Sequence, residues 1–80
     1  MHSPSPFSAR LAAEVRRARE EQGLRQDQVA LAAGVSVRSV HQIEAGKPTM
    51  RLDVLERVLD VLALALDVGP RAGRSTLRRP

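Results

Sequence analysis

Four side chains in this sequence, Val37, Arg38, His41 and Gln42, have the types and spacing to do chemistry together at a surface. If one helix carries them, they share a face turned away from the inward-spaced Val40 and Ile43. Arg38 can fork onto the O6 and N7 of a guanine, and Gln42 can pair with an adenine. Val37 can touch a thymine methyl, and His41 can bond either a base or a phosphate. Such a set suits the reading of base edges in a DNA major groove. Taken without context the same residues are a solvated helix face, so the surrounding pattern has to decide.

Other chemistries find less support. There is no cysteine nucleophile, no serine in a strand-to-helix elbow, no HExxH pair and no glycine-rich phosphate loop, so no enzyme and no cofactor are expected. Asp53, Glu56 and Asp60 have a spacing that brings metal ligation to mind, but no histidine or further carboxylate joins them. Asp53 sits where an acid favours a helix N-terminus, and the three read as a solvated or partner-facing acidic edge.

The elements that must position the four residues come from 80 residues, one small domain. Phe7 is the sole aromatic residue, so aliphatic side chains must supply nearly all of the burial. Without cysteine, neither disulfides nor thiolate-bound zinc can support so small a core, which leaves a partner chain as the usual remedy. The net charge of +4 belongs to the tail, because Arg71, Arg74, Arg78 and Arg79 lie beyond the last acid, Asp67. Residues 1–70 are balanced, so any attraction to DNA depends on which face collects the arginines. The longest apolar run, Val61 to Leu66, is too short for a membrane span, and a soluble cytoplasmic protein is expected.

Met1 to Pro6 alternates Ser and Pro, as an unstructured arm does. With Ser8 as N-cap, Phe7, Leu11, Val15 and Ala18 mark the apolar side of a first helix running to about Gln22, where Gly23 stops it. A second helix fits Gln26 to Ala33, ended by Gly34. A third, capped by Ser36, ends at Ala45-Gly46. A fourth, roughly Leu52 to Leu62, has one apolar line through Leu52, Leu55, Leu59 and Leu62 and a second through Val54, Val58 and Val61. One stripe can face the core, and the other needs a partner. Leu62, Leu64, Leu66 and Val68 then alternate with Ala63, Ala65 and Asp67, the period of a strand. An otherwise helical chain offers that strand no mate except its twin across a two-fold axis.

Two short helices joined by a glycine-containing turn form a helix-turn-helix pattern, the first bracing the second across the phosphate backbone. The runs Gly23-Leu24-Arg25-Gln26-Asp27-Gln28-Val29-Ala30, Ala33-Gly34-Val35-Ser36 and Ile43-Glu44-Ala45-Gly46-Lys47-Pro48 resemble the lambda-repressor-like, or Xre, helix-turn-helix family. The resemblance covers roughly Leu11 to Leu66. The tract from Gly46-Lys47-Pro48-Thr49 through Arg51-Leu52-Asp53 to Leu62-Ala63-Leu64-Ala65-Leu66-Asp67 is similar to a narrower branch, the HipB-type antitoxins.

The resemblance implies an all-α, compact four-helix domain with a short C-terminal β-strand pairing across a homodimer. Its expected division is an arm at 1–7, the helix-turn-helix domain at 8–62, the dimerisation strand at 63–69 and a basic disordered tail at 70–80. The implied protein is a repressor on a palindromic double-stranded operator that also neutralises a HipA-type kinase toxin. A plain Xre regulator, or a toxin-binding module with weak DNA binding, are the alternatives. Base reading falls to Val37, Arg38, His41 and Gln42, and phosphate contacts to Arg25, Gln26, Ser36, Ser39 and Lys47. Arg25 stands where the family has Thr or Ser as the helix cap, and a phosphate contact is its compensating role. His41 occupies a variable position, so base preference is not inherited. Arg19 and Glu44 are implied to form a partly buried ion pair, and Val54, Val58, Val61, Leu62, Leu64, Leu66 and Val68 a dimer interface.

Overall fold

The computed structural model describes residues 5–70 and contains four helices: α1 (Pro6–Glu21), α2 (Gln26–Ala33), α3 (Val37–Glu44) and α4 (Leu52–Val61). The residues beyond those limits, with most of the arm and of the basic tail, lie outside the described range. No described helix is long and apolar enough to cross a membrane.

α1 begins earlier than its composition suggests. Ser5, not Ser8, is the N-cap: its hydroxyl accepts from the Ser8 amide at 3.1 Å, and the Ser8 hydroxyl accepts in return from the Ser5 amide at 2.8 Å. Pro6 then opens the helix, where its missing N–H removes no hydrogen bond and its fixed φ is already helical. The earlier start also places Phe7. The buried stripe runs through Ser8, Leu11, Ala12 and Val15, which leaves Phe7 on its flank and 44% exposed rather than in the core.

All four helices end the same way, the last residues folding back through paired hydrogen bonds to free carbonyls. At α1 the Leu24 amide donates to the Arg19 carbonyl and Gly23 to Glu20; at α3 Lys47 donates to Gln42 and Gly46 to Ile43. The residue at the bend must take a positive φ, which Gly34 supplies after α2 at 71°. After α4 the same bend falls on Ala63, at φ 57°, with Ala63 donating to Asp60 and Leu64 to Leu59. A Cβ in that conformation costs roughly 1–2 kcal/mol. Leu64, thrown back by the turn, packs against the core.

That core is aliphatic: Leu11, Val15, Val29, Ala30, Val40, Ile43, Leu55, Val58, Leu59 and Leu62. The short α3 rests against α1, α2 and α4, which hold it in place of any length of its own. On α4 the inward seam is Leu55, Val58, Leu59 and Leu62, while Leu52, in the first turn, is exposed. Val58 and Leu62 therefore leave the expected dimer interface: each is enclosed in the core of its own chain, out of reach of a second one. Val54, Val61, Leu64 and Leu66 are half-buried, and Val68 is 83% exposed. Among the described residues no strand forms within the single chain.

Candidate nucleic-acid interface

α3 owes its position to both of its ends and to its inner face. The Ser36 hydroxyl accepts from the Ser39 amide at 3.1 Å and lies 2.9 Å from the Ser39 hydroxyl, fixing the first turn. Val40 and Ile43 anchor the inner face at 0% and 1% exposure. Opposite them Val37, Arg38 and His41 stand exposed, with Gln42 half-buried beside them. The structure thus brings all four expected base-reading side chains to one face.

Glu44, the last residue of α3, is the one buried carboxylate among the described residues, with 2% of its side chain exposed. Arg19 grips it with two parallel bonds, Nε to Oε2 at 2.6 Å and Nη2 to Oε1 at 2.9 Å, and donates through Nη1 to the Leu24 carbonyl at 2.8 Å. The implied Arg19–Glu44 pair is present, and it joins α1, α3 and the turn before α2. Two further partners gave no sign in the sequence. Gln26 Nε2 donates to Glu44 Oε1 at 3.2 Å, and Arg16 Nη2 donates to the Glu44 carbonyl at 3.0 Å. No sequence periodicity connects residues so far apart on three helices.

Burial alone would push the Glu44 carboxyl up, but hydrogen bonds from Arg19 and Gln26 and the charges of Arg19 and Arg16 outweigh it, so the group titrates below its ordinary 4.5. The unfolded chain accordingly takes up this proton first as pH falls. The contribution of Glu44 to stability is complete above the ordinary value and is lost as pH drops through the lower, folded one. Melting temperature should therefore hold steady down to about pH 5 and decline below it. A rise in melting temperature on acidification through that range would contradict the assignment.

The expected phosphate contacts are placed unevenly. Lys47 is exposed directly after α3, and neither it nor Arg38 has a carboxylate partner among the described residues. Ser36 and Ser39 sit at the opening of α3. Arg25 is exposed but pairs with Asp27, Nε to Oδ1 at 3.0 Å, and this hydrogen bond holds the Asp27 carboxyl below its usual range. Nε and Nη2 of Arg25 face Asp27, which leaves Nη1 to donate to a phosphate. A guanidinium has no acceptor with which to cap α2, and half of the reciprocal arrangement survives: the Gln28 side chain accepts from the Arg25 amide at 2.8 Å. Gln26 opens α2 half-buried, its amide held by Glu44.

Residues 10–72 match the helix-turn-helix domain family. Over 60 residues the chain is 43% identical to y4mF of Sinorhizobium fredii, described as an uncharacterized HTH-type transcriptional regulator, a match that spans 75% of this chain and 79% of that relative.

Proposed function

The chain belongs to the helix-turn-helix domain family, and from that premise we propose that it is a sequence-specific DNA-binding transcriptional repressor acting as a homodimer. One observation carries this reading: a core-locked, capped α3 that displays Val37, Arg38, His41 and Gln42 outward with Lys47 just beyond its end. The protein works by binding and not by catalysis, in the cytoplasm on the nucleoid. Phosphate contacts supply affinity and the α3 face supplies discrimination.

The second copy is supported by what α4 leaves uncovered. Leu52 and Val68 are exposed, Val54, Val61 and Leu66 are half-buried, and the alternating segment after Leu62 has no strand to pair with among the described residues of its own chain. Pairing that segment across a two-fold axis sets two α3 helices about 34 Å apart, one turn of DNA, on a palindromic operator. The tract from Gly46 to Asp67 supports a HipB-like antitoxin role with a HipA-type kinase toxin as further partner; a regulator without a toxin is the other form of the same reading.

Selection of bound duplexes from a random pool, with light scattering on the free protein, tests the proposal. A palindrome with half-sites one helical turn apart and a dimer mass are expected. Monomers at micromolar concentration, or no duplex retained in dilute salt, would end it. Co-expression with a kinase-like protein from the neighbouring reading frame separates the antitoxin from the plain regulator.

A further inference from the structure

We infer that Arg16 of α1, outside the recognition helix, donates to a DNA backbone phosphate where α1, the start of α2 and the end of α3 meet. The inference rests on the DNA-binding reading and adds to it a contact that sequence spacing does not suggest.

Arg19, whose side chain is 14% exposed, already matches the buried Glu44 carboxylate one to one through two short bonds. Arg16 adds a second positive charge that this carboxylate does not need. Its Nε stands 3.6 Å from Glu44 Oε1, too far for a hydrogen bond. The single hydrogen bond it makes among the described residues goes from Nη2 to the Glu44 carbonyl, one of five N–H groups in its fork. With 54% of the side chain exposed, the surplus charge of the cluster is displayed at Arg16.

The neighbours of Arg16 are donors as well. Gln26 Nε2 reaches the same Oε1, which seats its carboxamide beside the guanidinium and leaves its second amide proton unspent. Gln26 is also the first residue of α2, whose N-cap Arg25 makes no side-chain cap and whose first turn carries Asp27, already paired with Arg25. A fixed guanidinium beside such donors suits a phosphate oxygen. Lys47, three residues beyond Glu44, is exposed. The competing role is purely structural, with Arg16 serving only to cap the last carbonyl of α3.

Salt dependence separates the two roles. Operator and random duplexes are titrated by fluorescence anisotropy at several salt concentrations, using the full chain with Arg16→Gln, Arg16→Lys, or Arg17→Gln on the outer face of α1. For Arg16→Gln the slope of log K against log salt shrinks by about 0.9, with equal loss on both duplexes. Arg16→Lys restores the slope, and Arg17→Gln leaves it unchanged. An unchanged slope for Arg16→Gln, with or without weaker binding, or a loss confined to the operator, overturns the assignment. Should Arg16→Gln fail to fold, the Nε–H resonance of Arg16 in the unaltered protein decides. A shift on adding duplex, absent with inorganic phosphate at equal phosphate concentration, supports the contact; no shift, or an equal shift with free phosphate, overturns it. A wild-type protein that binds no DNA at any salt brings down the underlying reading too, a result distinct from a variant that binds with an unaltered slope.

Discussion

Replacing Glu44 with alanine removes about 3–5 kcal/mol of stability, the cost of leaving a buried charge without its partner. For a domain of this size each kcal/mol moves the melting temperature by about 4–8 °C, so the drop is about 12 °C at the least. The whole molecule has only about 4–12 kcal/mol to lose at 0.05–0.15 kcal/mol per residue, and the variant stands near the edge of folding. The cause is local. Arg19 cannot swing its guanidinium into solvent without giving up the Leu24 carbonyl, and Gln26 loses its acceptor at the same time. Thermal melts followed by circular dichroism check this, and a change of one or two degrees would contradict it. A second variant isolates the mechanism. Arg19→Met combined with Glu44→Leu removes both charges and fills their space with apolar atoms, so it should melt well above Glu44→Ala alone. If the double variant is the less stable of the two, the loss comes from packing and not from the orphaned guanidinium.

How far these features can be read from residue order depends on the range of the interaction. α2 is legible to the residue, because Gly34 marks its end and Val29, Ala30 and Ala33 mark its inner face. Ser36 declares α3 because a hydroxyl there has one use, the free amides of the next turn. The start of α1 is ambiguous for a physical reason: Ser5 and Ser8 are the same residue three apart, each bonding the amide of the other. Only Pro6, which reads as arm and serves as the first helical residue, separates the two possibilities. On α4 the leucine line and the valine line are both plausible inner faces, and the choice of Val58 over Leu52 is made by where α2 and α3 press. Arg16 was illegible, because its partner lies 28 residues away on another helix.

Arg38→Ala should cost about 1–3 kcal/mol on the operator, roughly 5- to 150-fold in Kd, and relax the preference at a single base position. Nothing in the fold calls for a cation at this site. Arg38 lies in the first turn of α3, where the helix dipole disfavours positive charge, and among the described residues no carboxylate accompanies it. Its removal should accordingly leave the melting temperature almost untouched, within about 0.5 kcal/mol of stability. An exposed fork held on a rigid helix has a use at a guanine edge, where two parallel bonds form at once. Arg38→Lys keeps the charge without the planar fork, so it should hold random DNA nearly as well as the original while failing to recover discrimination. Lys47→Ala supplies the contrast: as a phosphate contact it weakens operator and random duplexes alike and lowers the salt slope by about 0.9. If Arg38→Ala behaved as Lys47→Ala does, with equal losses on both duplexes, Arg38 would be a backbone contact and the reading face would shrink to Val37, His41 and Gln42.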